Sequence, residues 1–383
     1  MLRTTAYERE EDLGDLRAAW DRLALDLGLP YGGPAWMLAW WRHLRPVGAR
    51  LRVIAVHEGN QLVGLGAFHV AEASAGTRHA RLLAARYGGT PLGPLAAPGD
   101  EAAVGTAIAT DLAALRPRIH ALDLDGTPAT SPWPAALRDG WPGRSPILTR
   151  EARRPLPTIV LEGSTFEEWI GAKSANFRQT LRRRRRQLDR RGAVVRMSAN
   201  VQEAQRDLSA FERLHAGRWD WRGGSGRLRP GTGAFLGELA GALVPSGGFR
   251  LWSIDLDGET ISSHLFICGG GRANYWLGGF DDRYARYSPA MVTLVAAIEH
   301  AWASGDRSLG LGAGRQGYKG RLTTYAEDLD WVSLVPTRAA MAPRAWIGLG
   351  PSLLANGLRN RMPPNAKARL RTLSRRGDSE GTR

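Results

Sequence analysis

The sequence predicts an α/β protein with α+β character, made of two similar units in tandem, each a mixed twisted sheet flanked by helices. The chain has 383 residues and is 43% hydrophobic, which suits two domains that each bury a core. Two hairpin patterns, at 51–70 and 249–268, align with Gly59 against Gly258, an offset of 199 residues. This recurrence indicates a duplicated unit, although any two hairpins share part of such a pattern.

The first unit is expected to begin with helices at 14–27 and 34–44 and to continue with the 51–70 hairpin. The hairpin strands are rich in β-branched and apolar residues and turn at "EGNQ". Residues 128–157 hold seven prolines, a composition typical of a connector. We therefore expect a first unit at 1–150, a second unit at 151–336 and a basic tail at 337–383.

The second unit is expected to open with a short strand at 158–161 and a helix that begins at a capping pattern, Ser164 to Glu167 or Thr165 to Glu168. A later helix begins at the Ser288–Pro289 pair. The other expected elements are helices at 174–191 and 207–219, a Gly-rich loop at 223–233, the 249–268 hairpin, strands at 274–280, 307–311 and 329–335, and the end of the 288–305 helix at Gly305.

The positive charge is confined to two segments. Residues 178–191 carry eight arginines and one acid, and residues 337–383 carry ten basic residues and two acids; together they account for the whole net charge of +15. A protein that binds polyanions over its general surface would not confine its charge in this way. Because 49 of the 52 basic residues are arginines, arginine at any one position is weak evidence for function.

A run of five arginines, at 182–186, lies on the helix expected at 174–191. Because successive helical residues are about 100° apart, Arg184 and Arg185 should fall at or beside the apolar stripe of that helix. A solvated face cannot hold all five arginines, so at least one should meet a carboxylate or line a groove that binds an anion. The stripe consists of Phe177, Leu181 and Leu188.

Several stretches in order resemble one family over residues 10–335. The chain resembles the bacterial GNAT-fold acyltransferases of the cellulose-biosynthesis type, which are related to the Fem-type aminoacyl transferases of peptidoglycan bridges. Each stretch is weak alone, and the ordered set is specific for fold and family but not for substrate. The stretches are "PAWMLAWWRHL", "FRQTLRRRRRQLDRRG", "LHAGRW", "LDGETISSHLFI", "YWLGGFDDRYARYSP" and "GAGRQGYKGRL".

The resemblance implies a donor site where the strands at 274–280 and 307–311 separate. Gly278 and Gly279 would allow close backbone approach there, and a strand bulge explains them equally well. Many GNAT proteins hold the coenzyme A pyrophosphate on a Gly-rich loop before the helix that here begins at Ser288. This chain has "RYARYSPA" instead, so the helix amides, with Arg283 and Arg286, would have to bind the phosphates.

Three residues are candidates for the chemistry of acyl transfer. Lys319 in "GYKG" aligns with a lysine that Fem-type enzymes are thought to direct at the donor carbonyl; it is also compatible with a surface lysine. An unperturbed lysine titrates near 10.4 and is cationic at pH 7. His264 on a strand and Asp281 after the third strand could relay a proton, and a core histidine and a turn-capping aspartate are the alternative readings.

The acceptor cleft is expected beside the helix at 207–219, and no metal-ligand cluster is recognised in the sequence. The expected co-substrate is an acyl-CoA, acetyl or longer, and the expected acceptor is a small-molecule amine of a sugar, a cell-envelope precursor in polysaccharide biosynthesis or a related metabolite. The candidate substrate-binding residues are His215, Arg218, Trp219, Tyr318, Arg184 and Arg185.

Three alternatives remain: a Fem-like ligase that uses aminoacyl-tRNA, a nucleic-acid-binding protein that uses the arginine helix, and a catalytically inactive scaffold. The neutral remainder of the chain disfavours DNA as a partner. The single cysteine, Cys268, excludes a disulfide framework, and the acidic N-terminus does not resemble a signal peptide. We therefore expect a cytoplasmic protein, with membrane contact through the basic tail as an alternative to a docked helix and a disordered end.

Overall fold

The computed structural model describes residues 2–73, 76–87, 91–219, 228–314 and 317–337. The basic tail, apart from its first residue, and residues 223–227 of the expected Gly-rich loop lie outside the described part of the chain. None of the described helices is both long enough and apolar enough to span a membrane.

The structure contains helices near those expected at 14–27, 34–44, 174–191, 207–219 and 288–305 and both expected hairpins, together with elements that the sequence pattern did not predict. The strands are β1 (Leu2–Tyr7), β2 (Arg50–Glu58), β3 (Gln61–Glu72), β4 (Arg78–Leu82), β5 (Leu95–Ala96), β6 (Ala121–Pro128), β7 (Ile147–Val160), β8 (Val194–Met197), β9 (Phe249–Leu256), β10 (Glu259–Gly269), β11 (Arg272–Phe280), β12 (Ser308–Gly310) and β13 (Tyr325–Val335). The α-helices are α1 (Leu16–Asp26), α2 (Pro34–Leu44), α3 (Glu101–Ala114), α4 (Trp133–Asp139), α5 (Phe166–Gly171), α6 (Ala175–Asp189), α7 (Val201–Trp219), α8 (Thr232–Leu243), α9 (Pro289–Ala303) and α10 (Lys319–Leu322).

All thirteen strands of the described chain belong to one mixed sheet. Its order is β1-β2-β3-β4-β6-β13-β7-β12-β11-β10-β9-β8, and β5 pairs with β3 outside that path. Of the two capping patterns considered for α5, the second is present: the Thr165 side chain accepts from the Glu168 amide, and the Glu168 carboxylate accepts from the Thr165 amide.

The two halves of the sheet repeat one topology, which confirms the predicted tandem units. In the N-terminal unit, β1 to β4 are antiparallel, α3 crosses over, and β6 returns parallel to β4. In the C-terminal unit, β8 to β11, α9 and β12 follow the same order and directions. Two helices separate the first and second strands of each unit: α1 and α2 in one, α7 and α8 in the other.

The units exchange their last strands at the centre of the sheet. β7 follows the N-terminal unit but pairs with β12, and β13 follows the C-terminal unit but pairs with β6. β7 and β13 also pair with each other, from Ile147 with Val335 to Thr158 with Tyr325. The expectation of a Pro-rich connector at 128–157 is therefore wrong, because this segment forms α4 and most of a central strand, and the boundary expected after residue 150 falls inside β7.

One aromatic cluster joins the units on the face of the sheet that carries α2, α7 and α8. Trp276 of β11 lies 5.7 Å from Trp36 of α2 and 5.9 Å from Tyr87, measured between ring centroids. Its indole Nε1 donates to the Tyr87 carbonyl oxygen over 3.4 Å, and Phe235 of α8 packs against the same rings. Since Trp36 and Tyr87 belong to one unit and Trp276 and Phe235 to the other, the core is shared.

Candidate active site

A cleft opens in the C-terminal unit where β11 and β12 separate. The two parallel strands are in register at three pairs, the last of which is Asn274 with Gly310. Beyond that pair the chain stays with β7: the Leu311 amide donates to the Pro157 carbonyl oxygen over 2.8 Å, and the Gly314 amide donates to the Pro155 carbonyl oxygen over 2.9 Å. The edge of β11 from Tyr275 onward therefore loses its neighbour on this side.

Glycines on the β12 side of this cleft place no side chains between the two strands. A Cβ atom on Gly310 would lie 3.0 Å from Asn274 Oδ1. Gly312 has a φ of +77° and lies where a Cβ would meet the Tyr275 carbonyl oxygen at 3.4 Å and Lys319 Nζ at 3.7 Å. The positive φ favours glycine at position 312, and the tight 3.0 Å contact disfavours a side chain at position 310.

The equivalent opening in the N-terminal unit is filled. β4 and β6 are also in register at three pairs, the last of which is Arg81 with Asp123, the counterpart of Asn274 with Gly310. These two side chains form a 2.7 Å ion pair, and Asp125, at the position of Gly312, accepts from Arg86 Nε over 2.9 Å. The chain itself enters next, since the Leu92 amide donates to the Gly126 carbonyl oxygen over 3.2 Å. The C-terminal unit has asparagine and glycines at these positions, and no ion pair fills the separation of β11 and β12 among the described residues.

Lys319 lies at the cleft and is buried, with 4% of its surface exposed. Its Nζ donates to the Gly312 carbonyl oxygen over 2.8 Å, and burial lowers its pKa to about 8. The expectation of an unperturbed lysine is therefore wrong, because the side chain is largely removed from water. The short helix α10 is held in place by bonds from Trp169 Nε1 and Lys173 Nζ to the Leu322 carbonyl oxygen, at 3.2 Å and 3.1 Å.

Sequence reasoning missed Asn274. Its side chain is 5% exposed, and its Nδ2 donor has no hydrogen-bond partner within the described part of the chain. The signal was present, since a polar amide interrupts the apolar pattern of "NYWLGGF", but a single asparagine in a strand is uninformative until the partner strand is known.

The two candidate histidines are both buried next to Gly278. His264 of β10 lies opposite Gly278 in the strand register, and its ring centroid is 5.4 Å from that of Tyr275. His215 of α7 places its Nδ1 3.1 Å from the Gly278 carbonyl oxygen and stacks on Phe211. His264 therefore faces Gly278 from β10, the neighbour of β11 on the side away from β12, and His215 contacts the Gly278 carbonyl oxygen from α7. Tyr318, which precedes Lys319, is half-buried.

Gly279 is required by the packing of α7. A Cβ on Gly279 would lie 2.4 Å from the backbone carbonyl carbon and oxygen of Leu214, closer than any side chain tolerates. A Cβ on Gly278 would lie 2.7 Å from the Tyr275 hydroxyl and 2.9 Å from the His264 ring. Because the contact at Gly279 is with helix backbone, glycine at this position is required for α7 to pack on β11.

Asp281 and Arg283 form a capping arrangement at the 3-10 helix that precedes α9. The Asp281 carboxylate accepts from the Arg283 amide over 2.9 Å and from its guanidinium over 2.6 Å, and these bonds lower the pKa of Asp281. Arg283 also donates to Glu259 over 2.9 Å. With its pKa below the usual range, Asp281 is a weak base, and Arg283 is already paired with two carboxylates.

The first turn of α9 offers few amides to a phosphate. Ser288 adopts a left-handed φ of 51°, its amide donates to the Ala285 carbonyl oxygen, and the Met291 amide donates back to the Ser288 carbonyl oxygen over 3.1 Å. Pro289 has no N–H. Arg286 lies over the Tyr287 ring at 4.8 Å.

The arginine helix α6 packs as predicted through its apolar stripe. Leu188 is fully buried among Ile254, Tyr287 and Val292, and Leu181 packs beside it. Arg184 is half-buried and donates to Gln187 over 3.1 Å, whereas Arg185 is exposed and pairs with Asp189 over 3.0 Å. The outer face carries a shallow groove of about 360 Å³ lined by Ala175, Arg178, Gln179, Arg182 and Arg186.

A second cavity, of about 510 Å³, lies between α7 and residues 228–233. Glu212 lines it; one of its carboxylate oxygens is buried without a hydrogen-bond partner among the described residues, and burial raises its pKa. Arg218 and Trp219 end α7, but their side chains lie outside the described part of the structure. Within the described ranges, no group of three or more His, Cys, Asp or Glu side chains could hold a metal ion.

Fold and cleft define a GNAT-type acyltransferase fold, and the comparisons with known proteins agree. Residues 175–320 match the family described as Acetyltransferase (GNAT) domain. That range contains β8 to β12, Asn274 and Lys319. A search by sequence among curated proteins found no significant match.

Two solved structures resemble most of the chain. FemX aligns with a TM-score of 0.60 and 11% identity, over 88% of this chain and 98% of FemX. The C-terminal domain (DUF2156) of a putative lysylphosphatidylglycerol synthetase from Agrobacterium fabrum aligns with a TM-score of 0.56 and 11% identity, over 85% of this chain and 93% of that domain. At such identities the likeness establishes the fold alone.

Proposed function

We propose that the protein is an N-acyltransferase that moves an acyl group from an acyl-CoA in the cleft between β11 and β12 to an amine. The observation that carries this proposal is the asymmetry of the two units. Glycines line the opening of the C-terminal unit, whereas ion pairs fill the equivalent opening of the N-terminal unit. The GNAT match covers the unit with the open cleft.

In the proposed reaction the amine nitrogen attacks the carbonyl carbon of the thioester, and the carbonyl oxygen takes the electron pair. The Lys319 ammonium stabilises that oxyanion. The intermediate collapses by breaking the carbon–sulfur bond, so the coenzyme leaves as a thiolate. The amine proton passes to His264, which returns it to the thiolate; we assign this relay to His264 because Arg283 holds Asp281 in a capping bond.

The acceptor, in this proposal, enters from the α7 side. Glu212 lines the cavity beside α7 and can attract the protonated amine there, and the proposal assigns His215 and Tyr318 to acceptor binding. The acceptor is an amine of a sugar, a cell-envelope precursor or a related metabolite, as the resemblance to the cellulose-biosynthesis type suggests, and the protein acts in the cytoplasm. Contact of the basic tail with an anionic membrane stays part of the same proposal.

A second candidate is transfer from an aminoacyl-tRNA. The first turn of α9 favours it, because Pro289 and the internal bonds of Ser288 and Met291 leave little backbone N–H for a coenzyme A pyrophosphate. The structural likeness to FemX is compatible with both donors. DNA binding through α6 is the weakest candidate, since the groove on that helix does not adjoin the cleft residues.

Donor binding separates these candidates. The purified protein is titrated by calorimetry with acetyl-CoA, a longer acyl-CoA and free coenzyme A, and in parallel with aminoacyl-tRNA and uncharged tRNA. We expect saturable acyl-CoA binding and, with a panel of amino sugars and envelope precursors, an acylated product by mass spectrometry. Binding and turnover with aminoacyl-tRNA alone would replace the first candidate by the second.

A further inference from the structure

We infer that the Asn274 carboxamide is a second hydrogen-bond donor to the carbonyl oxygen of the acyl donor. This inference rests on the proposed acyl transfer and adds a residue that neither the sequence pattern nor the family match assigns. Because the Asn274 amide would contact the reacting carbonyl group, Asn274 would be a catalytic residue, as Lys319 is.

The position of Asn274 is the first support. It forms the last registered pair of β11 with β12, opposite Gly310, and the strands part immediately beyond it. Lys319 bonds the carbonyl oxygen of Gly312, two residues past Gly310 on the other side of the opening. The Asn274 amide, on β11, and the Lys319 ammonium, held from α10 against the segment that follows β12, therefore lie at the same separation of the two strands.

The unsatisfied donor is the second support. Asn274 is 5% exposed, yet its Nδ2 has no hydrogen-bond partner among the residues that the structure describes. Leaving a buried donor unpaired costs about 1–3 kcal/mol, so the Asn274 Nδ2 calls for a partner that the described part of the chain does not supply. An apolar side chain of the same size would pack without this cost. The amide therefore needs an oxygen that enters from the cleft.

The N-terminal unit shows what this position looks like when it is satisfied internally. Arg81, the counterpart of Asn274, donates to Asp123, the counterpart of Gly310, over 2.7 Å. The C-terminal unit keeps a donor on the first strand but has glycine where the acceptor stood. The acceptor is thus missing from the chain where β11 and β12 separate.

The chemistry fits a carbonyl oxygen. As the amine nitrogen bonds to the carbonyl carbon, the oxygen gains negative charge, and donors already in place stabilise it without reorganisation. When the carbon–sulfur bond breaks, the charge leaves with the thiolate and the carbonyl re-forms. Asn274 gives and takes no proton in this sequence; it donates the same hydrogen bond throughout, more strongly to the oxyanion.

The test compares Asn274→Leu and Asn274→Asp with a matched control, Thr149→Val. Leucine keeps the volume and removes the donor, and aspartate removes the donor while it is ionised. Thr149 is a buried polar residue of the same sheet, on β7 well away from Thr158 and the cleft. Three quantities are measured for each full-length variant: the melting temperature, kcat and KM, and the carbonyl infrared band of bound acetyl-CoA labelled with carbon-13 at the carbonyl.

We expect Asn274→Leu to lose about 10²–10³-fold in kcat, with the donor KM little changed and the melting temperature equal to or above that of the wild type. The bound carbonyl band, shifted to lower wavenumber in the wild type and in Thr149→Val, should return toward its position in water. Asn274→Asp should regain part of its rate, relative to the wild type, as pH falls and the carboxyl group becomes a donor.

Each outcome decides one claim. If acetyl-CoA binds with a shifted band and Asn274→Leu leaves both the band and kcat within threefold of the wild type, Asn274 is not a donor to the carbonyl, and the proposed function stands. If the variant melts far below the wild type and its rate follows its folded fraction, the role is structural and the inference is overturned. If no acyl donor binds the wild type at all, the proposed function fails, and this inference fails with it.

Discussion

The Lys319 ammonium nitrogen lies 2.8 Å from the carbonyl oxygen of Gly312, at the point where β12 leaves β11. That is the one hydrogen bond that the Lys319 side chain makes within the described chain. An ammonium group has three N–H donors, so two remain for a ligand. The bond therefore fixes the direction of the side chain at the cleft while leaving it able to bind a carbonyl oxygen.

Replacing Lys319 should lower turnover. Losing one donor to an oxyanion costs about 10²–10³-fold in kcat, so we expect that loss for Lys319→Met with little change in donor binding. Lys319→Arg should recover part of the rate, and its rate should not decline above pH 8, where the wild-type ammonium titrates. Rates from pH 6 to 10 check both statements. A Lys319→Met protein with near-normal kcat would remove this residue from the mechanism.

The burial of Lys319 should also make stability depend on pH. Its folded pKa of about 8 is below the ordinary 10.5, so the unfolded chain binds more protons between these values. Burying the charged Lys319 ammonium destabilises the folded protein, and this destabilisation is fully present below pH 8. It disappears as pH rises toward 10.5, so the free energy of unfolding rises by on the order of 3 kcal/mol. Lys319→Met lacks this gain. Denaturant unfolding of both proteins at pH 7, 8, 9 and 10 measures the difference, and parallel curves would contradict it.

The elements that local pattern specifies were predictable, and the long-range pairings were not. The 34–44 helix, the two hairpins and the Ser288–Pro289 helix start have the residues their local geometry requires, and each was found. The exchange of β7 and β13 depends on pairing across more than 160 residues, and no local signal encodes it. Seven prolines suggested a connector, yet Pro155 and Pro157 lie within β7.

The candidate site divides in the same way. Lys319 could be found by its place in a short motif. Asn274 becomes a candidate only once the structure shows that it pairs with Gly310 on the neighbouring strand. Asp281 and Arg283 lie two residues apart and form an ion pair with each other. A charged residue that can pair locally is a poor candidate for chemistry, and a buried polar residue without a local partner is a better one.

Gly279→Ala should destabilise the protein strongly. The new Cβ would lie 2.4 Å from the backbone of Leu214, so α7 would have to move, and we expect a loss of about 3 kcal/mol in the free energy of unfolding. Gly237→Ala is the control: it lies in α8 with no atom within 4 Å of the new Cβ, and should stabilise by about 0.5–1 kcal/mol. Equal unfolding curves for both variants would refute the role of Gly279.

Nucleic acid should bind weakly and without steep salt dependence. Arg185 is paired with Asp189 and Arg184 is half-buried, which leaves Arg182, Arg183 and Arg186 of the run exposed, so we expect about three phosphate contacts from the run at most. Binding to random DNA and RNA, measured by fluorescence anisotropy from 50 to about 300 mM salt, gives the number of phosphates neutralised. Tight binding whose salt slope collapses in Arg182→Gln/Arg186→Gln would instead favour the nucleic-acid function. Weak binding restricted to tRNA would favour the aminoacyl-tRNA donor.

The C-terminal unit should not fold by itself, because the strand exchange leaves it incomplete. A fragment of residues 151–336 loses Ile147 to Arg150 from β7 and deprives β13 of its neighbour β6. It also uncovers Trp276, which Trp36 and Tyr87 of the other unit cover in the intact chain. An unpaired central strand beside an exposed aromatic surface favours aggregation. We expect an aggregated fragment without cooperative thermal unfolding, and recovery of folding when residues 1–150 are expressed with it. A monomeric 151–336 fragment that unfolds cooperatively and keeps full turnover would show that the N-terminal unit is dispensable for both fold and site.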